Sequence, residues 1–214
     1  FLRADDSVFD SLQLGQKEFL NGYAAEGAAY LSISARDPEI LRGVDPERIT
    51  RSNRCDDEVS AFYDAMMANV NPWCVASIPI PSWAKKVFPG LPEQEAMDKL
   101  WDAIFTSVRI SGAGDAVARW REHVAVLKSR VEKLNELHFT SLYYQNSLGT
   151  SLNIKLPETH LWAGGSNTCR AGFPFVANMP TEEVFTAPQR DGIDGVVYAA
   201  LPLVHNGNII ENFH

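Results

Sequence analysis

Cysteine is scarce in this sequence. Three occur among 214 residues, Cys55, Cys74 and Cys169, far apart and odd in number. That argues against a disulfide framework and a Cys-x-x-Cys metal site, and it suits a reducing cytoplasm. Long apolar runs are missing too: no stretch of about 18 apolar residues is present, so no segment is expected to cross a membrane as a helix. Positive charge is sparse and scattered. The net charge is -8 and the pI near 5.1, with no stripe of Lys and Arg to neutralise nucleic-acid phosphates. The motifs GxGxxG, GxxxxGKS/T and GxSxG are not found, and no pair among His123, His138, His160, His205 and His214 has the HExxH spacing. Gly164-Gly165 has no helix start after it and reads as a turn or bulge.

What is present is an ordinary globular composition, 45% hydrophobic and 21% charged, in a chain long enough for one large domain or two small ones. Residues 7 to 27 read as a helix. "AAYLSISA", Ala28 to Ala35, reads as a strand buried on both faces of a parallel sheet. The Asp-Pro pairs at 37-38 and 45-46 each place Pro in a first helical turn, and the second helix is expected to run to about Asn69. "WCVASIPI", Trp73 to Ile80, is a second buried strand, and a short helix over Ser82 to Phe88 follows. Strand, helix, strand is a βαβ pattern.

Two long helices come next, Pro92 to Arg109 and Asp115 to Leu137. Their apolar stripes predict burial of Leu100, Trp101 and Ile104 on the first, and of Trp120, Leu127 and Leu134 on the second. His123, on the second helix, is expected to be structural. From about His138 the period changes from 3.6 to 2, with "FTSLYYQN", "TSLNIKLPE" and "VVYAALPLV" separated by turn formers. The expected fold is therefore α/β followed by β-rich (α+β): a layered βαβ unit with long helices over residues 1–137, then a mainly antiparallel β domain over 138–214. Asn206-Gly207 predicts a hairpin whose second arm runs from Asn208 toward Phe213. That arm has barely begun when the sequence stops, and the first residue is not Met. Both features lead us to expect a segment of a longer protein.

The strongest chemical signal is "NMPTEEVFTAPQR", Asn178 to Arg190, where Glu182 and Glu183 stand side by side before strand formers. Successive strand side chains point to opposite faces, so one glutamate can face solvent or a helix while the other points into a site. The alternative is that both decorate an edge strand as solvated charges. A carboxylate is a hard oxygen ligand able to bind one divalent ion or bridge two.

"PSWAKKVFPGLPEQEAMDKLWDAIF" (Pro81 to Phe105), "LPETHLWAGG" (Leu156 to Gly165), "NMPTEEVFTAPQR" and "GVVYAALPLVHNGNII" together resemble the M29 family of metallo-aminopeptidases, of the aminopeptidase T and aminopeptidase S type. "EGAAYLSISARDPEILRGVDPERI" fits the same family, so the likeness covers nearly the whole chain in order. The resemblance implies a cytoplasmic two-domain enzyme, homodimeric when complete, that releases N-terminal residues from peptide substrates. It implies a pair of divalent ions (cobalt, zinc, magnesium or manganese) held by two glutamates, two histidines and an aspartate, with a tyrosine nearby. Only the first glutamate would fall here, as Glu182 or Glu183, and sequence does not say which. The other ligands would follow His214, and the family's α/β start would precede Phe1. Residues 1–137 would then be part of the N-terminal domain, and 138–214 the start of the metal-binding domain. One departure is Ser151, where the family usually has Asp. The isolated chain is expected to hold no metal tightly and to lack peptidase activity, which leaves a non-catalytic scaffold or dimerisation unit as the alternative role.

Overall fold

The computed structural model describes residues 2–110, 112–201 and 203–210. A single 3-10 turn, Asp6–Phe9, is capped by the Asp5 carboxylate, which accepts from Ser7 N–H. Helix α1 begins only at Leu14 and ends at Ala25, so the helix expected over 7–27 is shorter and separate from that turn. Strand β1, Tyr30–Ser34, pairs in parallel with β2, Trp73–Ser77, in the register Tyr30↔Trp73 through Ser34↔Ser77. The βαβ expectation holds.

The crossover is built differently from the sequence reading. Asp37-Pro38 starts only turns, because Gly43, in the left-handed region at φ 76°, follows within about one and a half helical turns. So short a stretch does not repay helix nucleation. Asp45-Pro46 does start a helix: Asp45 accepts from Glu47 N–H at 2.9 Å, and α2 runs over Pro46–Arg54. It does not continue to Asn69. The chain tightens into a 3-10 stretch, Cys55–Val59, and restarts as α3, Ser60–Met67.

Val59, Phe62 and Met66 form one core cluster, with Leu20 and Ala24 of α1 and Tyr30 and Trp73 of the sheet packed on it. These helices cover one face of the sheet. On the other, Leu31 and Ile33 are 61% and 55% exposed, which corrects the expectation of burial on both faces. Beyond β2 come α4, Pro81–Val87, and α5, Glu93–Ser107. They share a second cluster of Ala84, Ala96 and Leu100, with Trp101 and Ile104 only half-buried. Trp101 instead stacks on Phe105, with ring centroids 5.1 Å apart. Helix α6, Ala116–Leu137, is capped by Asp115, which accepts from Val117 N–H, and it ends at His138 in the left-handed region. Trp120 and Leu127 are buried as expected, whereas Leu134, about two turns beyond Leu127, is half-buried.

Past His138 the strands are short and antiparallel. β3, Ser141–Gln145, and β4, Ser151–Lys155, form a hairpin, and β9, Ile193–Val196, adds to β4. Ser151, the departure noted above, bonds through its hydroxyl to Tyr143 Oη at 3.1 Å. β5, Ala163–Gly164, pairs with β8, Val184–Phe185, and β6, Asn167–Thr168, pairs with β7, Pro174–Phe175. The predicted hairpin is present as β10, Leu203–His205, and β11, Asn208–Ile210, around Asn206 and Gly207, both at positive φ. Its arm beyond Ile210 lies outside the described residues. One stretch of the later half also joins the first sheet. Val75 donates to Ala177 C=O at 2.8 Å and accepts from Met179 N–H at 2.9 Å, so residues 177–179 run parallel to β2 along its second edge. No helix among the described residues is long and apolar enough to cross a membrane.

Candidate functional site

The segment carrying Glu182 and Glu183 is pinned at both ends. Upstream, the backbone of 177–179 is bonded to β2. Downstream, β8 pairs with β5 in the register Gly164↔Val184. Gly164 is required there, because a Cβ on it would lie 2.8 Å from Glu183 C=O and 3.1 Å from Val184 Cγ1. The two glutamates precede β8 in irregular backbone, so strand alternation is not what separates their side chains. Local anchoring does it.

Glu182 turns toward the corner between α5 and α6. Its Oε1 accepts from Arg109 Nη1 at 2.5 Å and its Oε2 from Nη2 at 2.9 Å, a two-pronged pair between residues 73 apart in sequence. Arg109 is itself fixed. Its backbone is left-handed at φ 60°, its carbonyl accepts from Arg119 Nε at 2.8 Å, and its guanidinium lies 5.8 Å from the Trp120 ring centroid. The Arg109 bond, and then the charges of Arg109, His123 and Arg130, hold the Glu182 carboxyl below the usual glutamate range. The slight burial of Glu182 opposes that shift without reversing it.

His123 supplies the second hold. Its Nε2 lies 2.7 Å from the carbonyl oxygen of buried Thr181, and since a carbonyl only accepts, Nε2 carries the proton. The ring packs edge-on to Trp120 and sits 3.6 Å from Glu182 Oε2. This is the structural role expected for His123, placed at the candidate site. Trp120 in turn donates from Nε1 to Val108 C=O at 2.7 Å.

Glu183 goes the other way. Its Oε2 accepts from Glu182 N–H at 2.9 Å, and Glu183 is among the residues around an open cavity of about 430 Å³. Met67, Trp73 and Phe185 give that cavity apolar walls, while Asn69, Asn178 and Thr181 add polar groups. No histidine lines it among the described residues. His160 is buried elsewhere, with Nδ1 bonded to Pro157 C=O at 2.8 Å and its ring stacked on His138. His205 belongs to the β10–β11 hairpin. Among the described residues no group of three or more His, Cys, Asp or Glu is placed to hold a metal ion. Glu183 is the only carboxylate residue around that cavity among the described residues, a single donor toward a divalent ion. A stable site needs about three protein ligands.

Sequence reasoning found the glutamate pair and missed Arg109. Nothing local points from Arg109 to a partner 73 residues on. The only available signal was that a lone Arg follows the end of α5, just before the glycines at 112 and 114.

The whole chain, residues 1–214, matches the family model described as thermophilic metalloprotease (M29). It is 41% identical over 214 residues to Aminopeptidase 2 of Geobacillus stearothermophilus, covering 100% of this chain and 51% of that one. It is 42% identical over 191 residues to Aminopeptidase AmpS of Bacillus subtilis (strain 168), covering 89% of this chain and 46% of the relative. Among solved structures, wild-type AmpT from Thermus thermophilus matches 98% of this chain and 51% of its own, at a TM-score of 0.86 and 36% identity. The chain spans about half the length of the curated relatives it matches.

Proposed function

This chain belongs to the thermophilic metalloprotease (M29) family, and from that premise we propose that the complete protein is a metal-dependent aminopeptidase, with Glu183 as one of its metal ligands. Residues 1–137 are then part of its N-terminal domain and 138–214 the start of its metal-binding domain. The observation that carries the reading is the parting of the two glutamates. Glu182 has both oxygens engaged by Arg109, while Glu183 is among the residues around an open cavity. When bound, divalent ions supply Lewis-acid chemistry for peptide hydrolysis. The part played by this chain's own residues is to hold one carboxylate rigid at the wall of a cleft. Substrates are peptides with a free N-terminus. The complete enzyme is a cytoplasmic homodimer; three free, widely spaced cysteines fit a reducing compartment.

For the isolated 214 residues the reading is a non-catalytic scaffold or dimerisation unit, favoured by the single carboxylate that the cavity offers. The test has two arms. In the full-length enzyme, Glu183→Gln abolishes metal-dependent release of an aminoacyl chromophore, and Glu182→Gln is milder; the reverse order overturns the ligand assignment. In the isolated chain, calorimetric titration with cobalt or zinc gives no binding tighter than about micromolar, the level that needs roughly 8 kcal/mol. Tight stoichiometric binding there would mean that a complete site lies within these residues.

A further inference from the structure

Resting on the reading of the complete protein as an aminopeptidase, we propose that the cavity beside Glu183 receives the first residue of the peptide and selects a large apolar side chain there. An aminopeptidase must hold one residue, side chain and amine together, next to the bond that it cuts. The cavity has the size for that. At about 430 Å³ it lies low in the range of about 300–1,000 Å³ usual for ligand pockets, which suits one residue rather than a long stretch of peptide.

The residues around it decide which kind of side chain it takes. Met67, Trp73 and Phe185 bring apolar surface. Met67 ends α3 in the first half of the chain and Phe185 belongs to β8 in the second, so the fold brings them to one concavity. They are 65% and 56% exposed, large apolar side chains left in solvent beside it. Trp73 is fixed, since its Nε1 donates to Met66 C=O at 3.0 Å. Glu183 is the only charged residue around the cavity among the described residues. No cation is there to pair with an acidic side chain, and Glu183 repels one. Asn69 and Asn178 add neutral polar groups, and among the described residues their side-chain amides bond to no protein group. Such amides can bond the main chain of a peptide, which leaves discrimination between side chains to the apolar surface.

The experiment compares two substrates on the full-length, metal-loaded enzyme: leucyl and alanyl derivatives of one chromophore. A single methylene in a hydrophobic pocket changes kcat/KM by about 10-fold or more, so the wild type is expected to favour the leucyl substrate by at least about 10-fold. Phe185→Ala and Met67→Ala each remove part of the apolar surface, and each is expected to lower the leucyl-to-alanyl ratio by about threefold or more. The ratio cancels any change in the folded or metal-loaded fraction, so a general loss of activity does not imitate the result. If one variant fails to fold, the other decides. A smaller change of ratio in every variant that folds overturns the proposal, and so does a wild type that cleaves both substrates equally well. An unchanged ratio with a lowered melting point would assign Met67 and Phe185 to packing against the rest of the complete chain. Failure of the wild type to release the chromophore from either substrate refutes the parent reading, and this one falls with it; release with an indifferent ratio refutes this one alone.

Discussion

Leu127→Ala tests the packing beneath the candidate site. Leu127 is 0% exposed in the middle of α6, and the wall facing it is backbone. A Cβ placed on Gly165 would come within 3.1 Å of Leu127 Cβ and 3.2 Å of Val124 C=O. Leu→Ala changes in cores cost about 2–5 kcal/mol, rising with the volume of the hole that remains. Collapse is limited here, because Gly165 has no side chain to swing in and the α6 backbone is held by its own hydrogen bonds. The cost is therefore placed in the upper part of that range, about 3–5 kcal/mol. Against a net stability of about 5–15 kcal/mol, that is a large share. At about 2–4 °C per kcal/mol for chains of this size, the melting midpoint falls by about 6–20 °C. Thermal denaturation followed by circular dichroism reads it, with urea titration checking that the slope is unchanged. A fall of less than about 3 °C would mean that α6 does not pack against the Gly164-Gly165 turn as described.

Gly164→Ala presses a Cβ against Glu183 C=O and is expected to destabilise by about 1–3 kcal/mol, the usual cost of overpacking. Gly22→Ala meets nothing within 4 Å inside α1 and is expected to stabilise by about 0.4–1 kcal/mol; urea midpoints of both variants check the contrast. His123→Ala leaves the Thr181 carbonyl without its side-chain donor, at an expected cost of about 1–3 kcal/mol by the same titration. The depressed folded value of Glu182, caused first by the Arg109 bond, gives a stabilisation that is complete above the unfolded glutamate value of about 4.3. It is lost as pH falls through the lower folded value. The melting-point difference between wild type and Glu182→Gln should therefore be steady at neutral pH and shrink below about pH 4. Its size is reduced by solvent, since Glu182 is 57% exposed. A difference that grew on acidification would refute the pairing.

The parts of the fold legible in sequence were those set by local chemistry. Asp45-Pro46 and Asp115 announced helix starts, and both cap their helices. Asn206-Gly207 announced a hairpin, which forms at those residues. The break at Cys55–Val59 was not legible, because Cys-Asp-Asp-Glu-Val contains neither Gly nor Pro. It is favoured by tertiary bonds, with Glu58 accepting from Leu12 N–H at 3.0 Å and its carbonyl from Asn21 at 3.1 Å. The same division applies at the candidate site. Composition and position singled out Glu182 and Glu183. Their different surroundings depend on Arg109 and on a cavity walled by residues from Met67 to Phe185, none of which leaves a local trace.

The strand-like run at 177–179 has a consequence for the order in which the chain is made. The outer edge of β2 has no partner until that run emerges from the ribosome, about a hundred residues after Val75. At about 5–20 residues per second, the nascent sheet would display an unpaired edge for several seconds or more, with Leu31 and Ile33 uncovered on its face. The glutamate pair follows immediately behind the run that closes this edge. Completion of the first sheet and delivery of the candidate ligand to its cavity are thus one event in synthesis. Translational pausing between residues 75 and 179 should expose the nascent chain to aggregation more than pausing after it.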